Sequence, residues 1–307
     1  MVSRIALVRA PNPSVMTLSG TNSYVIDAGN GEAFVLDPGP RIDAHVDALV
    51  ANARERGLRI AAIGVTHGHP DHAPAAALLA ARARAPVYAH PNSDVPHDRA
   101  FELDADLQIG DLSLRVIDAP GHTFEHVALY EPREAALFTG DVILGEGTVV
   151  IAPPGGAMRP YVATLRRLAR EFPNAERIYG GHGEIVDDAQ AKIAEYIEHR
   201  ERRQRELLET LREGPATIPE LVTKIYGETR RILWPAAARQ LLAYLMALVE
   251  EGVVDATGLD RPLTGDETAI LNPSWESIVG AEHAPTIQAE LGSMHKLDKI
   301  YVYAIKE

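Results

Sequence analysis

The chain has no cysteine among its 307 residues, so it cannot form disulfide bonds. Any metal site must therefore be built from histidine and carboxylate side chains, with water completing the coordination. Aromatic residues are scarce at 6 %, yet the hydrophobic fraction of 46 % can fill the core of one large domain or of two smaller ones. We therefore expect a folded chain rather than a disordered one.

The sequence also has few positively charged residues relative to negatively charged ones, and few long apolar runs. The 30 Lys and Arg residues face 43 Asp and Glu residues, which gives a formal net charge of −13. Because unspecific binding to nucleic acids or anionic membranes depends on clustered Lys and Arg, such partners are disfavoured. The apolar run 73–81 stops at Arg82, far below the roughly 20 residues that cross a bilayer. Charge also interrupts residues 1–9 before a signal-peptide core forms, so we expect a cytoplasmic protein without a membrane-spanning segment.

Short β-rich runs alternate with helical runs in the first half of the chain. The runs 23–27 and 33–37 predict two strands, joined by a hairpin at Asn30-Gly31, and the runs 44–56 and 59–66 predict a helix and a further strand. Many strands, some in hairpins and some followed by helices, indicate two mixed sheets that face each other with helices outside. The predicted fold class is α+β, with an αββα sandwich.

The most informative segment is the HxHxDH cluster at residues 67–72, which follows an apolar strand and precedes an Ala-rich helix. In an extended segment, residues two apart point the same way, so His67 and His69 can face one metal ion. Asp71 and His72 lie at the turn into the helix and can face a second ion. This cluster therefore predicts a two-metal site.

Three further candidate ligands follow later predicted strands, and each has a glycine beside it that allows close backbone approach. They are His122 after Gly121, Asp141 after Gly140, and His182 after Gly181. Alone, each would be read as a hydrogen-bonded loop residue or a turn residue. Together with the HxHxDH cluster they complete a set of seven candidate ligands.

The ligand order HxHxDH, His, Asp, His resembles that of the metallo-β-lactamase superfamily. The resemblance implies two divalent metal ions, foremost zinc, with iron or manganese as alternatives because imidazole and carboxylate groups bind them too. It also implies the distribution of the ligands: one metal on His67, His69 and His122, the other on Asp71, His72 and His182, and Asp141 bridging the two.

A more specific resemblance, to the β-lactamase-like protein 2 family, covers roughly residues 10–255. It is carried by Asn12-Pro13 with 17–24, by 140–148, and by Tyr196-Ile197 with His199-Arg200. Two features depart from that family. Gly68 stands where a bulky aromatic residue is often found, and the segment 152–160 differs. Both departures border the expected substrate cleft.

The chain is predicted to have three regions: residues 1–200 as the metallo-β-lactamase-fold catalytic domain, 201–255 as a winged-helix-like domain, and 256–307 as a C-terminal extension of unknown role. The helical patterns at 217–226 and 235–250 share an apolar face, and a wing follows them. Because glutamates are interleaved with its arginines, we favour a cap on the hydrolase over a nucleic-acid-binding module. The alternating run 300–305 could pair with the wing, or with a second chain in a homo-oligomer.

The leading functional hypothesis is a metal-dependent hydrolase in which a metal-bridging hydroxide attacks small-molecule esters, thioesters or lactones. Asp71 is the predicted catalytic residue: it would orient the hydroxide and carry a proton to the leaving group. One alternative is an endoribonuclease acting on single-stranded RNA, as reported within the family that the chain resembles. Another is a ligand-sensing, DNA-binding regulator.

Four residues outside the ligand set are candidates for supporting roles. Metal-bound histidines usually donate their other ring proton to a carboxylate or carbonyl, and Asp37 or Asp118 could accept it, although a turn or capping role is the alternative for both. His126, four residues after His122, is interpreted as supporting the ligands or lining the pocket, with simple packing as the alternative. Asn22 either lines the cleft or forms an Asx turn.

Overall fold

The computed structural model describes residues 4–274 and 296–306, which form two compact units. The first unit comprises the chain up to residue 149 together with 164–194, and the second comprises 150–163 and the chain from residue 195 onward. The segment 150–163, expected in the catalytic domain, is therefore part of the second unit. It is tied there because the Ile151 N–H donates to Gln240 Oε1 at 3.0 Å.

The first unit contains two mixed β-sheets, one of six strands and one of five. In both sheets the order across the sheet follows the order along the chain. The strands of the first sheet are β1 (Ile5–Arg9), β2 (Asn22–Gly29), β3 (Glu32–Leu36), β4 (Arg59–Gly64), β5 (Val87–Ala89) and β6 (Arg99–Ala100). Those of the second are β7 (Asp106–Ile109), β8 (Leu112–Asp118), β9 (Val127–Glu131), β10 (Ala136–Gly140) and β11 (Arg177–Gly180). Pairing is antiparallel from β1 to β3 and from β7 to β10, and parallel elsewhere.

Side-chain alternation along the strands divides the core of this unit into two clusters. On β2, Tyr24 and Ile26 belong to the cluster shared with the second sheet, whereas Val25 between them belongs to the cluster on the helical side. Helices α1 (Asp43–Glu55) and α2 (Ala76–Ala83) pack against β3, β4 and β5 in that second cluster. Because successive strand residues point to opposite faces, one strand serves both layers. The predicted αββα sandwich is confirmed.

The hairpin between β2 and β3 turns where the sequence predicts it. Asn30 and Gly31 have φ angles of 54° and 73°, so both are left-handed. This is the conformation of a tight two-residue turn, whose twist matches that of the flanking strands. Asparagine and glycine adopt it at low cost, which explains why this dipeptide stands here.

The second unit has its own small sheet and helices. Two longer helices, α3 (Met158–Glu171) and α4 (Ala189–Arg212), contain residues of both units. The remaining elements are β12 (Ala216–Thr217), α5 (Ile218–Ile225), a short 3₁₀ turn (Arg231–Leu233), α6 (Trp234–Glu250), β13 (Val254–Gly258), α7 (Gly265–Leu271) and β14 (Tyr301–Ile305). Strand β14 is the middle strand and pairs antiparallel with both β12 and β13. This part of the expected C-terminal extension is thus built into the sheet of the second unit.

One helical stretch among the described residues, Arg231–Glu250, is long and apolar enough to cross a bilayer by length and composition. However, 67 % of its most apolar window is buried inside the protein. Arg239 itself donates to the backbone carbonyls of Pro235 and Leu271. These are the properties of a helix in the core of a folded unit.

Candidate metal centre

The seven predicted ligands come together in the first unit, in loops that follow the carboxyl ends of four strands. The loop after β4 carries four of them, and the loops after β8, β10 and β11 carry one each. They form two groups, and within each group the ligand atoms lie within 4.8 Å of one another. We call them the first ligand group (His67, His69, His122 and Asp141) and the second ligand group (Asp71, His72 and His182).

Distances within the groups match the edges of a metal coordination shell. In the first ligand group, His69 Nδ1 lies 3.0 Å from both His67 Nε2 and His122 Nε2. In the second, His182 Nε2 lies 3.1 Å from Asp71 Oδ2 and 3.4 Å from His72 Nε2. Ligands held tetrahedrally at zinc bond lengths of about 2.0–2.1 Å are about 3.3 Å apart. Both groups therefore have the spacing that one small cation requires.

Asp141 lies within reach of both groups. Its Oδ1 is 3.3 Å from His72 Nε2, and its Oδ2 is 3.5 Å from His182 Nε2 and 3.7 Å from His122 Nε2. Oδ1 is buried and accepts no hydrogen bond from residues 4–274 or 296–306. A buried carboxylate oxygen without a donor is costly, and a cation between the two groups would satisfy it. The residues present therefore fit a divalent metal.

The two groups differ in charge when they hold no metal. Burial lowers the pKa of His67 well below its ordinary value and also lowers the pKa of His69, so both are neutral and ready to bind a cation. Burial opposes protonation of the second group as well, but the nearby carboxylates prevail. They raise the pKa of His72 well above its ordinary value and that of His182 to about 9. A cation in the second ligand group would take the place of those protons.

Asp37, at the end of β3, holds the loop after β4. Its Oδ1 accepts from the backbone N–H of Thr66 at 2.7 Å, and its Oδ2 accepts from the Thr66 hydroxyl at 2.8 Å. The same Oδ2 lies 3.0 Å from His72 Nδ1. Asp37 is therefore the carboxylate that orients the candidate ligand His72. Asp118, the other candidate, lies 3.6 Å from His90 and contacts none of the seven ligands at hydrogen-bonding distance.

His126 is buried and fixes the backbone of Asp141. Its Nε2 accepts the Asp141 N–H at 3.1 Å, and its ring stacks on that of His67 with centroids 4.8 Å apart. Burial lowers the pKa of His126 well below its ordinary value, which keeps Nε2 free to accept. His126 thus supports the ligands.

Asn22 braces the loop that carries His182. Its side-chain amide donates to the carbonyls of Gly180 at 3.0 Å and Gly183 at 2.9 Å, and the Tyr24 hydroxyl donates to Gly180 at 2.7 Å. Asn22 is buried, so it does not line an open cleft, and its Oδ1 accepts from Arg9 Nε at 3.1 Å rather than from the backbone N–H of an Asx turn. The signal that could have drawn attention to this role is its place within the segment 17–24 that resembles the β-lactamase-like protein 2 family.

Sequence reasoning missed Thr21. The Thr21 hydroxyl donates to Asp71 Oδ2 at 3.4 Å. The side chain of Asn12 makes two hydrogen bonds to Thr21: Oδ1 accepts from the Thr21 N–H, and Nδ2 donates to the Thr21 hydroxyl. Asn12 and Thr21 are nine residues apart, and both belong to the segments that carry the resemblance. Their proximity to Asp71 could not be read from spacing alone.

Comparisons with known proteins agree with this fold and site. Residues 16–182 match the family described as Metallo-beta-lactamase superfamily, and residues 217–261 match the Beta-lactamase associated winged helix domain. The first match covers more than half of the chain and includes all seven candidate ligands. The chain therefore belongs to the metallo-β-lactamase superfamily of hydrolases, whose fold implies divalent metal ions, and carries an associated winged helix.

Comparison with individual relatives shows which members of the superfamily this chain is similar to. The chain is 31 % identical over 252 residues to a protein of Caenorhabditis elegans named Beta-lactamase-like protein 2 homolog, covering 80 % of this chain and 83 % of that one. The homolog of the same name in Drosophila melanogaster is 31 % identical, with coverages of 82 % and 90 %. An Aspergillus chevalieri protein named Atrochrysone carboxyl ACP thioesterase is 29 % identical, covering 73 % of each chain. The predicted resemblance is confirmed.

Solved structures show the same fold. A metallo-beta-lactamase family protein from Thermus thermophilus aligns with a TM-score of 0.69 at 24 % identity, covering 83 % of this chain and 96 % of that one. A beta-lactamase domain protein from Burkholderia ambifaria aligns with a TM-score of 0.71 at 20 % identity, with coverages of 85 % and 91 %. At these identities the likeness concerns the fold alone.

Proposed function

We propose that this protein is a di-metal hydrolase that uses two zinc ions to cleave small-molecule esters, thioesters or lactones. The observation that carries the proposal is the pair of adjacent ligand groups whose internal spacings, 3.0–3.4 Å between the closest ligand atoms, suit one small cation each. The first ligand group would hold one ion and the second the other. Asp141, with its oxygens facing both groups, would bridge them.

Two divalent ions, when bound, supply an activated water at neutral pH and polarise the oxygen of the bond to be broken. The chain's own residues then have separate tasks. Asp37 and His126 orient His72 and Asp141, as their hydrogen bonds show. No cysteine or serine nucleophile is required for this chemistry.

Asp71 is proposed as the catalytic residue of the second ligand group. Its side chain is 22 % exposed, more open than those of His72 and His182 beside it. Although burial alone would raise its pKa, these two histidines lower the pKa to about 2. Asp71 is therefore ionised at neutral pH and suited to accept a hydrogen bond from the attacking water, which orients it.

Thioesters are the preferred class among the three. The support is the relative named Atrochrysone carboxyl ACP thioesterase, which matches this chain over 73 % of its length. A thioester carbonyl also requires only an activated water and a polarised oxygen for hydrolysis, which is what the site would provide. Lactones and oxygen esters would react by the same attack on a carbonyl carbon.

The test combines metal content with a substrate screen. Protein purified without chelators should contain about two zinc ions per chain by elemental analysis, in line with a site of two metals. It should hydrolyse thioesters or lactones, lose this activity on chelation and regain it with zinc. Retention of full activity by metal-free protein would overturn the proposal. Cleavage of single-stranded RNA without ester turnover would support the endoribonuclease alternative instead.

Single-ligand variants sharpen the test. His122→Ala should remove zinc from the first ligand group, and His182→Ala should remove it from the second. Each variant should lower the rate of hydrolysis by more than about a hundredfold, because loss of a residue that only orients a ligand costs up to about that much. His97→Ala is the matched control, because His97 belongs to neither ligand group and its Nδ1 lies at hydrogen-bonding distance from the Val95 carbonyl. Unchanged zinc content in both ligand variants would contradict the assignment.

A further inference from the structure

A carboxylate that belongs to neither ligand group stands beside the first one. Glu125 lies between His122, a candidate ligand, and His126, which holds Asp141. Its side chain is partly exposed and makes no hydrogen bond or ion pair with any residue that the structure describes. The protein therefore leaves one charge at this edge of the site without a partner.

The absence of a side chain at position 68 keeps this carboxylate open. Gly68 stands between His67 and His69 and is exposed. A Cβ atom added there would lie 3.6 Å from Glu125 Oε1 and 3.5 Å from Val95 Cγ2, both ordinary contact distances. Position 68 could therefore carry a larger side chain, whose outer atoms would extend along the Glu125 carboxylate. Glycine leaves that space for a substrate.

The backbone that carries Glu125 is fixed on both sides. The His126 carbonyl accepts from the Ala119 N–H at 2.9 Å, and the Val127 N–H donates to the Thr66 carbonyl at 2.9 Å. On the other side, the Gly121 N–H donates to the Thr123 carbonyl at 2.8 Å. Glu125 therefore projects from a well-anchored stretch of backbone beside His126.

We propose that Glu125 determines specificity: it favours substrates that carry an ammonium or another hydrogen-bond donor near the scissile carbonyl, and it rejects substrates that are anionic there. This inference rests on the proposed hydrolase function and deepens it. A carboxylate without a protein partner gains a charge-assisted hydrogen bond from a cationic substrate, whereas an anionic group meets repulsion in a partly dehydrated site. Between two unit charges several ångströms apart, such an effect is on the order of tenfold in the specificity constant.

The experiment compares charged and neutral thioesters on zinc-loaded protein. The acyl series consists of β-alanyl, butanoyl and succinyl thioesters of N-acetylcysteamine, which place ammonium, methyl or carboxylate in similar positions. The thiol series consists of butanoyl thioesters of dimethylaminoethanethiol, propanethiol and mercaptopropionate. We expect the protein to prefer the cationic over the anionic member in at least one series. Added salt should reduce the preference, because it screens partly exposed charges.

Glu125→Gln should reduce the cationic-to-anionic ratio of kcat/KM by about tenfold, mainly through KM, and should leave the neutral member and the zinc content nearly unchanged. Glu55→Gln is the matched control, because it removes the same charge from an exposed position on α1. Gly68→Tyr offers a second test: it should weaken the discrimination by covering the carboxylate, while the zinc content is maintained.

The outcomes separate the two proposals. An unchanged ratio in Glu125→Gln, or an equal change in Glu55→Gln, would overturn the role of Glu125 and leave the hydrolase function standing. Equal rates for all three members of both series in the unaltered protein would have the same meaning. Failure of the zinc-loaded protein to cleave any of the six thioesters, or any lactone or ester, would overturn the proposed function and the specificity role together.

Discussion

Asp37 Oδ2 and His72 Nδ1 lie 3.0 Å apart, with both side chains buried. A carboxylate oxygen can only accept, so Nδ1 carries the proton that it donates, and Nε2 is the nitrogen directed at Asp71, Asp141 and His182. This hydrogen bond therefore sets both the rotation of the ring and the nitrogen that can bind a metal. Asp37 thus belongs to the candidate metal centre although it is not one of the seven candidate ligands.

The first prediction concerns Asp37→Asn. The amide would place an N–H₂ group against a donor, either Thr66 or His72, so one hydrogen bond must be lost. We expect zinc affinity to fall about 10- to 100-fold while the fold is kept, as measured by competition with a chromophoric chelator. Asp118→Asn is the control, because Asp118 also ends a strand but faces His90. Equal affinity losses in both variants would contradict the assignment.

Removal of the Asn22 amide should loosen the loop that carries His182. Asn22→Ala removes one donor from each of the Gly180 and Gly183 carbonyls, which keep the Tyr24 hydroxyl and Arg9 Nη2 as donors, so the cost is about 0.5–1.5 kcal/mol per lost hydrogen bond. We expect lower stability in urea, weaker zinc binding to the second ligand group, and lower hydrolysis. Asn22→Asp should be worse than Asn22→Ala, because it sets a carboxylate against two carbonyl oxygens. The reverse order would show that the amide does not act as a donor.

A pH effect on stability is expected from His45, which is buried on α1 and lies 2.8 Å from Ser23 Oγ. Burial lowers the pKa of His45 to about 4, from an ordinary value of 6.5. The unfolded chain therefore takes up this proton first, so His45 contributes stability above pH 6.5 that is lost as the pH falls toward 4. The loss amounts to at most about 3 kcal/mol. His45→Gln cannot take up the proton, so urea unfolding should show the gap between the two proteins narrowing with falling pH. A gap that is constant from pH 7.5 to 4.5 would refute this.

The last strand offers a matched pair of substitutions. Tyr303 is 4 % exposed and pairs with Ala216 of β12 and Ala256 of β13, whereas Tyr301 on the same strand is 38 % exposed. Tyr303→Ala should destabilise the second unit by about 3–5 kcal/mol, as for other buried aromatic residues. Tyr301→Ala should cost less than about 1 kcal/mol. Thermal unfolding followed by circular dichroism would compare them, and equal losses would contradict this packing.

Long, patterned elements could be predicted from the sequence, whereas short edge strands could not. Helices Asp43–Glu55 and Trp234–Glu250 lie within one residue of the predicted bounds 44–56 and 235–250, because their apolar residues repeat over enough positions to define a period. Strand Arg99–Ala100 has only two residues and no period to detect. Its pairing with β5 depends on a neighbour that the local sequence does not specify.

The same distinction applies to the site. The HxHxDH cluster is visible because four of the seven candidate ligands fall within six residues. The role of Asn22 is invisible locally, since its partners Gly180 and Gly183 are 158 and 161 residues away. Glu125 illustrates a third case: glutamate is a common residue, and only its open position beside Gly68 draws attention to it. The spacing of residues along the sequence indicates candidate ligands. The residues that position those ligands are brought to them only by the tertiary fold.

The place of β14 in its sheet has a consequence for the order in which the protein can form. A ribosome delivers the chain from its amino end, and every strand of the first unit lies before residue 181. Strands β12 and β13, by contrast, share no ladder until Tyr301–Ile305 emerges to join them. A translation product that stopped at residue 300 could therefore hold a finished metal site together with two open strand edges. Such edges invite aggregation, so an incomplete chain would be a target for chaperones and proteases even though it could already be an active hydrolase.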